Sequence, residues 1–290
     1  MPKRPGAYYR PQTIDEALRL LAQPDVVPLA GGTRLLASET GVAAAGVVDL
    51  QDLGLNEIKW EKEPARQILS IGAMVKLVEL SELLGEPEET SDAIPLLQKA
   101  IRQAGPNTYR NAATIGGIIA GRLPDSELLA ALLVLEATLT LLTPEPAAVS
   151  LVDYVGAAER PLGLITGVSL PWTEGMGSSH RVARTPADTP IVSITCWQPA
   201  GSRPRLAATG LGERPFRLSE AEGILAEAIT DTTIERAAAA ARAASQHPGD
   251  FRGDAAYRAE MAAVLTRRVL RVGEWASGRV GEWASRRVGE

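Results

Sequence analysis

Cysteine is all but missing from this chain. Cys196 is the only one in 290 residues, and histidine occurs twice, as His180 and His247. A single thiol excludes a disulfide framework and any iron–sulfur or zinc site built from this chain's own cysteines. Two histidines in unrelated settings leave almost no material for a Ser-His-Asp triad or a histidine metal cluster. Cys196 follows the apolar run "PIVSIT" and reads as a small buried hydrophobe. No apolar run approaches the roughly twenty residues of a membrane span. The start, "MPKRPGAYYRPQT", lacks the apolar core of a secretory signal, so a cytoplasmic location is expected. A basic stripe is lacking too. The 35 acidic and 30 basic residues are interspersed at a net charge of −5, so nucleic acid is not an expected partner. If the chain does redox chemistry, the electrons must sit on a bound organic cofactor.

What is present has room for two domains, with 45% hydrophobic residues to build their cores. "TIDEALRLLA" predicts a helix, with Thr13 as N-cap, Glu16 completing a capping box, and Ala17, Leu18, Leu20 and Leu21 as the apolar face. Strands are expected at Val26–Leu29 and in "GVVDL", and a further strand turns at Gly72 into a helix beginning near Val75. "EPEETSD" is an acidic connector and "AIPLLQKAIRQA" a helix. "SELLAALLVLEA" reads as a core helix and "PLGLITGVSLPW" as a strand. "EGMGSS" reads as a flexible link and marks the best domain boundary. Beyond it come strands in "HRVARTPADTPIVSITCWQP" and "RLAATGL", then three helices. The alanines from Ala237 to Ala241 are helix by propensity. The chain ends in an eight-residue repeat, "RVGEWASG RVGEWASR RVGE", which reads either as a draped tail or, through Trp275 and Trp283, as an anchor on a partner subunit.

Two stretches are chemically suggestive. "VPLAGGTRLLA" sets Gly31, Gly32 and Thr33 between a strand and a helix expected from Arg34 onward. It reads as a tight turn or as a backbone cradle whose N–H groups face an anion. "RNAATIGGIIAG" repeats the theme roughly eighty residues later, as a loop feeding a core helix or as a second cradle. Two such loops suit one extended, doubly charged ligand such as a dinucleotide pyrophosphate. Neither is a nucleotide-hydrolysing P-loop or a G-x-G-x-x-G fingerprint.

Taken together, "YYRPQTIDEALRLLA", "PLAGGTRLL", "RNAATIGG", "LLAALLVLEA", "LITGVSLP", "GLGERPFRLSEAEGIL" and "FRGDAAYRAEMAAVLTRRVL" resemble the FAD-binding medium subunit of the molybdenum hydroxylases, such as the carbon monoxide and xanthine dehydrogenases. The resemblance runs from Tyr8 to about Leu270. It implies an α+β, two-domain fold: a vanillyl-alcohol-oxidase-type (PCMH-type) FAD-binding domain over residues 1–173, then a smaller α+β domain of the carbon monoxide dehydrogenase flavoprotein C-terminal type over 178–270. Residues 271–290 remain as the repeated tail. It also implies that Leu29, Ala30, Gly31, Gly32, Thr33 and Arg34 form a first pyrophosphate loop, with Thr114, Ile115, Gly116, Gly117 and Ile118 as the second. Glu127 stands where the family usually has an aspartate that bonds sugar or ribityl hydroxyls. Ile165 stands where a backbone group meets the cofactor, Arg181 where a lysine commonly approaches it, and Asp188 in the segment lining the flavin ring.

Three positions depart from the pattern. Relatives often carry Asp or Ser at the position of Arg34 and Asn or Asp at that of Ile118, and Glu127 is one methylene longer than the usual aspartate. By resemblance, the partners are an iron–sulfur small subunit and a molybdopterin large subunit, with NAD, a quinone or oxygen as electron acceptor and no transmembrane segment. No catalytic acid or base and no metal ligand is assigned. The alternatives are a flavin-free scaffold subunit of the same fold and a free-standing flavoprotein reductase.

Overall fold

The computed structural model describes residues 5–37, 44–63, 66–85, 93–143, 145–226 and 228–271. The acidic stretch 86–92 and the repeat beyond Arg271 lie outside them. The chain divides into two compact units that interleave in sequence: Met1–Glu86 with Gly105–Gly121 and Ala137–Pro171, and Pro87–Ala104 with Arg122–Glu136 and Trp172–Glu290.

The first unit opens with β1 (Ala7–Tyr9), α1 (Ile14–Leu21), β2 (Val26–Leu29) and β3 (Gly46–Asp49). The three strands form a parallel sheet in the order β1-β3-β2. Thr13 caps α1 as expected, accepting from the Glu16 N–H at 3.3 Å, while the Glu16 carboxylate bonds the N–H of Gln12 at 3.2 Å instead of closing the box on Thr13. Ala17 is fully buried beside Val48, Leu50, Leu53 and Leu55, with Leu18, Leu20 and Leu21 packed around them. A second, five-stranded sheet follows, built from β4 (Ile58–Glu63), β5 (Arg66–Gly72), β6 (Thr138–Leu142), β7 (Pro146–Ser150) and β8 (Leu164–Trp172) in the order β4-β5-β8-β6-β7. The short helices α2 (Leu77–Leu84), α4 (Asn107–Arg110), α5 (Ile115–Gly121) and α7 (Leu151–Gly156) complete this unit.

The second unit is built on an antiparallel sheet of β9 (Gly175–Val182), β10 (Val192–Pro199), β11 (Arg205–Thr209) and β12 (Phe216–Arg217). Strand β10 turns successive side chains to opposite faces, and both faces are buried. Val192, Ile194 and Cys196 join a core with residues of α8 (Ser219–Leu225), α9 (Asp231–Ala243) and α10 (Ala255–Arg271). On the same unit, α3 (Ile94–Gln103) packs against α6 (Glu127–Val134) and β9, and α6 packs on β10 and β11. Every residue of α6 is buried, and each of its leucines contributes about 2 kcal/mol of transfer free energy. Arg205 and Arg217 donate to the carbonyls of Val134 and Leu133, closing the C-terminal end of α6 with positive charge. A small hairpin, β13 (Gly249–Asp250) with β14 (Gly253–Asp254), leads into α10. Among the described residues, no helix is long and apolar enough to cross a membrane.

Several local expectations need correction. "EGMGSS" is no flexible link, because Gly175–Val182 is β9 and pairs with β10 over eight consecutive positions. Its glycines are packing glycines: a Cβ at Gly175 would overlap the Gln198 carbonyl and lie 2.7 Å from the Trp197 ring, and one at Gly177 would lie 2.9 Å from Leu96. No helix opens at Arg34; residues 33–37 form a turn, with the Leu36 N–H bonded to the Gly32 carbonyl at 3.0 Å. The second Gly-Gly pair is not a loop but the first turn of α5. The alanine run does more than favour helix. Ala237, Ala238, Ala240 and Ala241 are buried, and their small side chains let α9 lie close against α10.

Candidate functional site

In the first unit the two glycine segments meet. Gly31 sits so tightly on the backbone of Ala112 that a Cβ would overlap its carbonyl oxygen and lie 2.7 Å from the carbonyl carbon. Ala112 is two residues before Thr114, so the first turn is pressed against the entry to the second segment. Gly32 takes φ +69°, a left-handed conformation open to glycine at little cost. Among the described residues, no acceptor faces the N–H groups of Gly31, Gly32 or Thr33. Three adjacent bare donors are suited to an anion. Leu29 is buried beneath the turn, Ala30 is half-buried, and Arg34 is exposed.

The second segment is built differently. The Ile115 N–H bonds Val75, Gly116 bonds Ala73 and Ile118 bonds Thr114, all to carbonyls at 2.9–3.0 Å, and the Gly117 N–H bonds the Thr114 hydroxyl at 3.1 Å. These four N–H groups are therefore committed within the protein. What remains is shape: a Cβ at Gly117 would meet only Thr114 Oγ1, at 3.0 Å, so its Cα faces open space. Gly116 is locked, with Ala73 2.7 Å from any added Cβ. Ile118 is 7% exposed, so this position holds an aliphatic side chain in the interior. Ile165 is buried on β8 opposite Leu141. Its neighbour Thr166 accepts from the Ala73 N–H at 2.9 Å, which links β8 to Gly116 through one residue.

In the second unit Glu127, Arg181 and Asp188 are brought together. Ser126 caps α6, and Glu127 follows in its first turn with 4% exposure. Arg181 Nη1 donates to Glu127 Oε2 at 2.7 Å. Arg181 Nη2 donates to the carbonyls of Pro186, at 3.0 Å, and Asp188. The Asp188 side chain turns back on its own loop, accepting from the Thr185 N–H at 3.0 Å. Glu127 Oε1 is buried and has no hydrogen-bond partner among the described residues. Burial pushes the Glu127 carboxyl above the usual carboxylate range, with Arg181 and Lys99 pulling the other way. Lys99 comes from α3, and its ammonium donates to the Ser179 carbonyl. Burial pushes its pKa down, and the charge of Glu127 opposes that shift.

Comparison with known proteins places the chain in a family. A family model described as the FAD binding domain in molybdopterin dehydrogenase matches residues 4–173. One described as the CO dehydrogenase flavoprotein C-terminal domain matches residues 184–272. The chain belongs to this family. The glyceraldehyde dehydrogenase medium chain of Sulfolobus acidocaldarius is 26% identical over 277 residues, covering 91% of this chain and 97% of the relative. The carbon monoxide dehydrogenase medium chain of Afipia carboxidovorans is 28% identical over 284 residues, covering 92% and 96%. A solved carbon monoxide dehydrogenase from Hydrogenophaga pseudoflava matches with a TM-score of 0.81 at 26% identity, over 93% of this chain and 97% of that one.

As a medium subunit of the molybdenum hydroxylases, the chain is an oxidoreductase component with an FAD-binding domain. Its residues fit that cofactor on two independent points. The bare N–H groups of 31–33 and the open Cα of Gly117 suit a phosphate-bearing chain. The orphaned Glu127 Oε1 suits a hydroxyl donor, since a buried acceptor left unmade costs about 1–3 kcal/mol. Sequence reasoning missed Lys99 and Arg252, which donates from Nη1 to Asp125 at 3.3 Å and to Thr189 at 3.2 Å. Nothing local flags either one: Lys99 reaches Ser179, and Arg252, besides its local pair with Asp250, reaches Asp125 and Thr189, all on distant segments.

Proposed function

We propose that this chain is the FAD-carrying electron-transfer subunit of a molybdopterin-containing hydroxylase or dehydrogenase, taking electrons from an iron–sulfur partner and delivering them to an external acceptor. The observation that carries the reading is the Gly31–Ala112 apposition, which brings a turn with three bare N–H groups against the segment leading to Gly117. On this reading Gly31, Gly32, Thr33 and the Gly117 surface hold the pyrophosphate, with Leu29, Ala30 and Ile115 as apolar backing. Arg34, at the exposed end of the turn, adds a cation near the phosphates. The Thr114 hydroxyl keeps its proton available while its oxygen caps Gly117. The family resemblance further assigns to the cofactor Ile165, Glu127, whose free oxygen would accept a hydroxyl, and Asp188. Bound FAD supplies both one-electron and two-electron chemistry, which is what a junction between single-electron carriers and a two-electron acceptor requires. The chain's own task is then to hold and orient.

The need for partners has a second support, in that one cysteine cannot ligate a cluster. The deciding experiment is the visible spectrum of the full chain, purified alone and with its partner subunits, before and after dithionite. Flavin bands that bleach, with FAD released on denaturation, are the expected result. A chain that stays colourless and takes up no added FAD even within the complex would leave a flavin-free scaffold as the better description.

A further inference from the structure

The segment 184–190 is held from two sides by arginines that arrive on different elements. Arg181, on β9, grips the carbonyls of Pro186 and Asp188 and, with its other amino group, Glu127. Arg252, on the turn between β13 and β14, reaches Thr189 at 3.2 Å and Asp125 at 3.3 Å, and its Nε bonds Asp250 at 3.2 Å. Asp125 and Glu127 flank the N-cap Ser126, so both arginines end on the same turn before α6. The anchorage of Arg252 is itself firm. Asp250 also accepts at 2.6 Å from Arg258, which is fully buried and donates to the carbonyls of Gly253, Ile191 and Gly210.

We infer that Arg181 and Arg252 form a two-point clamp that fastens the 184–190 segment to the 125–127 turn. Both serve the cofactor as positioning residues, by fixing Glu127 so that Oε1 is the oxygen left to accept. The inference rests on the FAD reading above. It differs from the expectation that Arg181 approaches the cofactor, because three of its five N–H groups are already committed to Glu127 and to two carbonyls. A planar fork can hold a carboxylate and two carbonyls at once, whereas a lysine ammonium on its flexible stem cannot span them.

The test uses the full chain without cofactor and two substitutions, R181K and R252K, with R242K, in an exposed pair with Glu260, as control. Brief trypsin treatment is followed by mass spectrometry of cleavage after Arg184, an exposed residue inside the clamped segment. FAD affinity is measured in parallel by fluorescence titration, and thermal midpoints report folding. The expected result is cleavage after Arg184 faster by about tenfold in R181K and in R252K, FAD binding weakened by a similar factor, and R242K matching the unsubstituted chain. Should R181K fail to fold, R252K decides the matter alone. Unchanged cleavage in the folded variants overturns the clamp. Weakened FAD binding with unchanged cleavage also overturns it, in favour of direct contact. An unsubstituted chain that binds no FAD refutes the flavin reading by itself and, with it, the cofactor half of the inference, while the cleavage rates still judge the clamp.

Discussion

Replacing Gly31 by alanine is the sharpest perturbation the structure offers. The added methyl would overlap a backbone carbonyl, that of Ala112, with Ala113 Cα also within 3.4 Å. Backbone cannot rotate aside as a side chain would, so the two segments must part. Overpacking of this kind costs about 3 kcal/mol, the upper end of the usual range. At about 3 °C per kcal/mol for a protein of this size, the thermal midpoint should fall by about 9 °C. Gly117 is the matched control within the same site. It is helical, its added Cβ would meet only the Thr114 hydroxyl at 3.0 Å, and alanine gains up to about 1 kcal/mol of helix propensity there. Thermal unfolding of the cofactor-free chain should therefore separate the two: G31A falls, and G117A stays within about 2 °C. FAD titration should not separate them, since both lose at least about tenfold in affinity, G117A because its methyl stands on the open surface. A G31A chain with an unshifted midpoint would refute the apposition of the two segments. A G117A chain with full FAD affinity would refute the cradle.

Three further outcomes follow from other parts of the molecule. Burial pushes the Asp250 carboxyl up, but hydrogen bonds from Arg258 and Arg252 outweigh it and hold the group well below the usual range. Its contribution is thus present above the unfolded carboxylate pKa near about 4 and lost as pH falls below it, so D250N should be less stable at neutral pH and lose that part of the acid dependence, as read by urea unfolding from pH 7 to 3. Cys196 is fully buried with its thiol pKa pushed up, so a thiol reagent at pH 8 should label it only at the rate of unfolding; prompt labelling of the native chain would contradict its placement. T114V removes the acceptor of the Gly117 N–H and should cost about 1 kcal/mol in chemical denaturation, with FAD affinity falling as well.

Sequence patterning located most elements because local chemistry decided them. The Thr13 cap and the apolar run of α6 each carry their own signal. It failed where glycine meant crowding rather than freedom. Gly175 and Gly177 look like a hinge in one dimension and prove to be relief for Trp197 and Leu96 in three. The same ambiguity hid α5, since Gly116 and Gly117 disfavour helix by propensity while Ala73 and the Thr114 cap hold them in one. On the proposed reading, the candidate site is legible in its glycines and in Glu127, and illegible in Lys99 and Arg252, whose surroundings depend on side chains 28 and 127 positions away.

Glu127 and Arg181 illustrate why departures from a family pattern should be read in pairs. Singly, a longer acid and a bulkier base each weaken the expectation of cofactor contact. Together they meet at 2.7 Å with side-chain exposures of 3% and 14%. A buried pair of this kind tolerates loss of one partner poorly, because the survivor keeps a charge that water no longer solvates, at a cost of about 3 kcal/mol or more. E127Q and R181Q should each approach that cost in urea unfolding. The double variant should cost less than the two added, by about 1–3 kcal/mol, since it leaves neither charge stranded. Strict additivity would mean that the two residues act independently. Glu127 would then owe neither its orientation nor its free oxygen to Arg181.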